Sequence, residues 1–235
     1  MSMPLAVVTG ASHGIGRAVA VALARLPGAR LALLSRDESL LEETRSMCRE
    51  EGAESEFVLC DVTDDESVAA AAASIRERWG TPDILVNNAG LFEPGPVQET
   101  SNDVFRKQVD VNLISAFVVT KEFLGDMISR GSGHIFFMCS VASIKAYPGG
   151  AAYCAAKHGL LGLARALREE TAEQGLRITA LIPGATYTRS WGSAGFPEER
   201  FIPPEDVADA LLDIYRLSDR TVVEEIILRP QLGDI

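Results

Sequence analysis

Seven short apolar runs, hardly broken by polar residues, recur along the chain at residues 5–8, 30–35, 56–61, 83–90, 133–140, 177–184 and 224–230. Between them lie stretches with helical spacing, among them 14–26, 64–79, 101–130, 150–174 and 205–217. A strand that is apolar at nearly every position, rather than at every second one, has to be covered on both faces. Alternating helices supply that cover. The chain is therefore expected to be an α/β protein, a single Rossmann-type doubly wound domain over residues 1–235, with a roughly seven-stranded parallel sheet and helices on both faces. Ligands of such sheets sit beyond the carboxyl ends of the strands, so the residues just after each run carry the functional argument.

Charge and composition exclude several alternatives. A formal net charge of −11 leaves no basic face for a nucleic-acid backbone. No run approaches the roughly 20 apolar residues of a membrane helix, and no basic segment precedes an apolar one at the amino terminus. A cytoplasmic protein with neither nucleic-acid nor membrane partners is expected. Cys48, Cys60, Cys139 and Cys154 lack C-x-x-C spacing, which suits a reducing compartment and no metal site.

The first run leads into "TGASHGIG", residues 9–16. Gly10, Gly14 and Gly16 permit a tight turn and let a diphosphate approach the amides at a helix amino terminus, with Ser12, His13 and Ile15 completing the turn. After the second run, an acidic residue would accept from the adenosine ribose hydroxyls; this chain has Ser35 and Arg36. A guanidinium forks onto phosphate oxygens, which favours NADP(H) over NAD(H), and His13 and Arg17 would add positive charge nearby. Arg36 also reads as a solvated arginine at a helix start. Asp61 and Val62, then Asn88, Ala89 and Gly90, fall where adenine and ribose would lie, although Asp61 reads equally well as a helix N-cap.

In "YCAAK", Tyr153 and Lys157 stand one above the other on a helix face. Reducing a ketone requires a hydride donor, an acid and a second donor to the oxygen. Tyr153 would be the acid, its ordinary pKa of about 10 lowered by the Lys157 cation. Ser140, at the end of the fifth run, would hold the substrate oxygen. Lys157 would also reach the ribose hydroxyls of the cofactor. Asn112, in mid-helix, is either a functional amide or a local kink with its amide satisfied. Cys139 and Cys154 are expected to pack as small apolar groups.

Thr9-Gly10-x-x-x-Gly14-x-Gly16, Asn87-Asn88-Ala89-Gly90, Asn112, Ser140, Tyr153-x-x-x-Lys157 and Pro183-Gly184-x-x-x-Thr188 resemble, in order and spacing, the short-chain dehydrogenase/reductase family over nearly the whole chain. The resemblance implies a catalytic set of Asn112, Ser140, Tyr153 and Lys157, with Asn112 supporting a water that leads protons to Lys157. It implies a nicotinamide carboxamide anchored near Thr186 and Thr188, and a homodimer or homotetramer paired through the long helix and the Tyr153 helix.

"GHIFF", "GATYTRSWG" and the tail "RTVVEEIILRPQLGDI" are similar to bacterial sepiapterin reductases, implying NADPH-dependent reduction of a pterin side-chain carbonyl. Trp191 would stack on that ring, or simply pack down residues 185–203 as a lid. Asp234 would meet the guanidine-like edge, or be a solvated carboxylate. Two other readings stand beside this one: a β-ketoacyl-carrier or broad carbonyl reductase, whose acidic carrier the negative charge disfavours, and a non-catalytic NADP sensor or scaffold, which has no use for the catalytic set.

Overall fold

A computed structural model describes residues 3–188 and 195–234. The described residues form seven strands: Leu5–Thr9 (β1), Arg30–Ser35 (β2), Glu54–Leu59 (β3), Ile84–Asn87 (β4), Gly133–Met138 (β5), Leu176–Pro183 (β6) and Glu225–Leu228 (β7). All neighbours pair in parallel, in the order β3-β2-β1-β4-β5-β6-β7. The order reverses beside β1, which places a crevice between the carboxyl ends of β1 and β4.

The unbroken apolar strands are explained by the two covers. Val8, Leu33, Val86, Phe136 and Leu181 face α1 (Gly14–Ala24), α2 (Glu38–Glu50) and α7 (Pro204–Arg216). Val7, Leu34, Leu85, Phe137 and Ile182 face α3 (Asp65–Trp79), α5 (Ser115–Arg130) and α6 (Ala151–Thr171). Phe136 and Phe137 are fully buried on opposite faces, and truncating either to alanine would cost about 3–5 kcal/mol.

Helix starts follow side-chain chemistry. Asp37 caps α2 through Leu40 N, Asp64 caps α3 through Glu66 N, and Ser101 caps α4 (Asn102–Val109) through Val104 N. Asp61 is therefore not the N-cap; it lies three residues before the cap residue Asp64, and its Oδ1 accepts from the backbone N and Oγ1 of Thr63.

The long helix expected over 101–130 is interrupted. Between α4 and α5, Asp110–Ile114 form a π-helical turn around buried Asn112. The extra residue moves Asn112 off the regular ladder, so its amide is free to serve a neighbouring loop.

Candidate active site

The crevice is built on locked backbone. Thr9 Oγ1 accepts from Asn88 N (2.9 Å) and Ala89 N (3.1 Å), while Asn88 Nδ2 donates to Thr9 O (2.9 Å) and Gly10 O (3.2 Å). These bonds join the turn after β1 to the loop after β4. Gly10 has φ +64°, and a Cβ on Gly16 would run into Gly10 O and the Asn88 amide, so both positions need glycine. Unlike α2, α3 and α4, helix α1 has no side-chain cap and no acidic residue in its first turn. Its leading amides are left for an external anion, which is what a dinucleotide diphosphate requires.

A cavity of about 390 Å³ opens on this helix end. Gly10, His13, Gly14, Ile15, Gly16, Asn88, Ala89 and Gly90 line one side; Asn112, Ser140, Tyr153 and Lys157 line its depth; Pro183, Gly184, Thr186 and Thr188 line the other side. Thr188 closes over the turn, its Cγ2 lying 3.2 Å from where a Gly14 Cβ would stand.

Ser12, Ser35, Arg36, Asp61 and Val62 do not line that cavity. Ser35 Oγ bonds Ser12 Oγ (3.0 Å), and exposed Arg36 reaches Asp61 Oδ2 at 3.4 Å. The Asp61 carboxyl is held below its ordinary value by the Thr63 hydrogen bonds first and by Arg36 last. Arg17 departs from expectation: its guanidinium is committed to Glu43 and to carbonyls of the turn and α2, so it brings no spare charge to the cofactor.

At the catalytic end, Lys157 is 3% exposed, donates to Met138 O at 2.8 Å and lies 5.6 Å from the centre of the Tyr153 ring. Burial pushes its pKa down to about 8. The Tyr153 phenol is pushed up to about 12, by burial first, with the Ser140 hydrogen bond acting in the opposite sense. The expected lowering by Lys157 is not found: the ammonium sits over the ring and bonds Met138, so desolvation wins. Ser140 caps a short 3₁₀ turn, its Oγ accepting from Ala142 N, so its own hydrogen is available to the phenol.

Asn112 sits in a local kink with its amide satisfied. Its Nδ2 donates to Gln108 O and Leu91 O (2.8 Å each), and its Oδ1 accepts from Leu91 N (3.1 Å). A kinked helix thus braces the loop after β4, close enough that a Cβ on Gly90 would lie 3.0 Å from Asn112 Oδ1 and 3.8 Å from Lys157 Nζ. Cys139 and Cys154 are free and buried, and burial pushes the Cys139 thiol up to about 11.

Trp191 lies outside the described residues, as does part of the 185–203 segment; Thr186 pairs with Ile202 across it. Residues that sequence reasoning missed complete the wall. Phe92 stands edge-on to Tyr153 (5.0 Å) and Tyr147 (6.4 Å), and all three line the cavity. Asp234 lines it too, held by Arg229 and by Lys145 (3.2 Å). It is a tethered carboxylate, not a freely solvated one.

The sequence model of the short chain dehydrogenase family matches residues 4–196. The chain is a short-chain dehydrogenase. It is 38% identical to the sepiapterin reductase of Chlorobaculum tepidum, over 97% of this chain and 96% of that one. Among solved structures, this short-chain dehydrogenase superposes at TM-score 0.91 on an alcohol dehydrogenase of Thermococcus sibiricus complexed with 5-hydroxy-NADP, 33% identical over 100% and 99% of the two chains. It superposes at 0.90 on an actinorhodin polyketide ketoreductase variant with NADPH, 29% identical over 99% and 98%. As a short-chain dehydrogenase it is an oxidoreductase. Among the described residues, no helix is long and apolar enough to cross a membrane.

Proposed function

We propose that this short-chain dehydrogenase is an NADP(H)-dependent carbonyl reductase acting on the side-chain carbonyl of a pterin. The observation that carries the reaction is that Ser140, Tyr153 and buried Lys157 line one cavity, with the Lys157 ammonium over the phenol ring. NADP(H), which Gly10, Gly14, Gly16, Asn88, Lys157 and Thr188 would hold, would supply the hydride that the carbonyl carbon accepts. Tyr153 supplies the proton to the oxygen: a phenol at about 12 is fully protonated at neutral pH and ready to donate. Ser140 holds the same oxygen in place. Lys157, at about 8, exchanges protons in the working range and restores the phenol.

The 2′-phosphate reading rests on Ser35 and Arg36, where an acidic residue would repel that group, and on relatives solved with NADP-type ligands. The pterin reading rests on the likeness to the C. tepidum enzyme, on the Phe92–Tyr147 wall and on the Asp234 carboxylate facing the same cavity. A planar ring packs against aromatic edges, and an amidine-like edge donates to a carboxylate.

A β-ketoacyl-carrier reductase is the second reading. It is favoured by Lys145, which lines the cavity, and by Arg200 and Arg229, which like Lys145 bond Asp234. Rates measured side by side on sepiapterin, a β-ketoacyl thioester and a simple diketone decide between them. The highest kcat/KM is expected on sepiapterin; a preference for the thioester would select the carrier reading, and no NADPH consumption with any carbonyl would select a sensor.

Exposed Phe105, Ile114 and Phe117, along α4, the π-helical turn and α5, support a homo-oligomer paired through these helices. Analytical ultracentrifugation is expected to give a dimer or tetramer.

A further inference from the structure

Arg17 is the fourth residue of α1, directly behind the phosphate turn. Its Nε and Nη2 both donate to Ser12 O (3.1 and 2.7 Å), Nη2 also reaches Leu40 O (3.2 Å) and Glu43 Oε2 (2.9 Å), and Nε reaches Thr44 Oγ1 (3.0 Å). Thr44, fully buried in α2, places its hydroxyl 3.0 Å from Ala11 O. The carbonyls of Ala11 and Ser12 are thus both drawn towards α2. A trans peptide points its N–H opposite to its C=O, so anchoring these carbonyls turns the amides of Ser12 and His13 away from α2. His13 lines the cavity, and its amide leads into the uncapped start of α1. A carbonyl turned the other way would present negative charge to an anion instead.

We propose that Arg17, together with Thr44, is a positioning residue for the dinucleotide: it fixes the orientation of two peptides in the turn so that their amides point away from α2 and the His13 amide is left to the diphosphate. This rests on the nicotinamide-dinucleotide reading above. Because Glu43 neutralises Arg17, the effect is one of geometry, and it acts on the part that NADPH and NADH share. Arg36 acts differently, on the 2′-phosphate alone.

The test is titration of NADPH and NADH against wild type, Arg17→Met, Thr44→Val and Arg36→Asp by quenching of intrinsic fluorescence, with kcat at saturating cofactor and thermal midpoints alongside. Loss of charge-assisted bonds that hold the turn is expected to raise Kd for both nucleotides by about tenfold in Arg17→Met, and by less in Thr44→Val. Saturating kcat should stay within about twofold. Arg36→Asp should weaken NADPH alone. Arg17→Lys keeps the charge but not the fork, so it should fold and fall between wild type and Arg17→Met. Unchanged Kd in both Arg17 variants would overturn the proposal, as would weakening confined to NADPH, which would make Arg17 a 2′-phosphate ligand. Failure of wild type to bind either nucleotide would instead overturn the functional reading beneath it.

Discussion

Strand β5 begins and ends against a buried basic group. At its start His134 is 1% exposed; its ring stacks on Phe136 (3.9 Å) and its Nε2 lies 2.7 Å from Thr179 Oγ1. Thr179 donates to Val223 O, so Nε2 carries the hydrogen, and Nδ1 has no partner among the described residues. Burial, assisted by Arg177, pushes this imidazole down to about 2. At the other end Lys157 is nearly as buried, but it faces the cavity, donates to Met138 O and is pushed down only to about 8. Desolvation disfavours the charged form in both. The difference is where the group comes to rest: Lys157 faces the cavity and loses its proton near pH 8, whereas His134 stays neutral and serves as packing.

The comparison breaks most easily at Lys157. Lys157→Met should lower kcat/KM for carbonyl reduction by about 10³-fold, a general acid–base contribution. Its thermal midpoint should not fall, because a desolvated cation is replaced by an apolar side chain of similar length. Equal losses of rate and stability would make Lys157 a structural group like His134. In wild type, the reduction rate should fall by about tenfold per pH unit above pH ~8 as Lys157 loses its proton; Tyr153, at about 12, should add no limb below that. A flat profile from pH 7 to 10 would separate the lysine from proton supply.

The smallest effect is expected at the opposite end. His134 has a folded pKa near 2 against 6.5 unfolded, so as pH falls from 6.5 towards 2 the unfolded chain takes up a proton that the folded one refuses. Stability from this group is complete above pH 6.5 and declines by about 1.4 kcal/mol per unit below it. His134→Phe should make the acid limb of a denaturation series shallower by up to that slope, with kcat unchanged. An unaltered limb would mean that His134 is not the group being titrated.

What was legible in the sequence was local. Apolar runs, glycines at fixed offsets and the four-residue step from Tyr153 to Lys157 are set by neighbours along the chain, and they placed the strands and the turn. What was not legible depends on partners far away in sequence. Arg17 reads as spare charge until Glu43 and Thr44 of α2 are seen to claim it. The π-helical turn at Asn112 is explained by the loop at Leu91, and the tether on Asp234 by Lys145, 89 residues earlier. Phe92 and Tyr147 sit in segments with no motif. The Tyr153 phenol shows the same limit: its lysine is visible in the sequence, but the burial that outweighs it is a property of the assembled fold.

The central claim, that Tyr153 is the acid of a carbonyl reduction, is tested most directly by Tyr153→Phe in single-turnover reduction of sepiapterin, with NADPH affinity measured on the same protein. Turnover should fall by at least about 10³-fold while Kd for NADPH stays within about twofold. Persistent turnover with intact cofactor binding would contradict it.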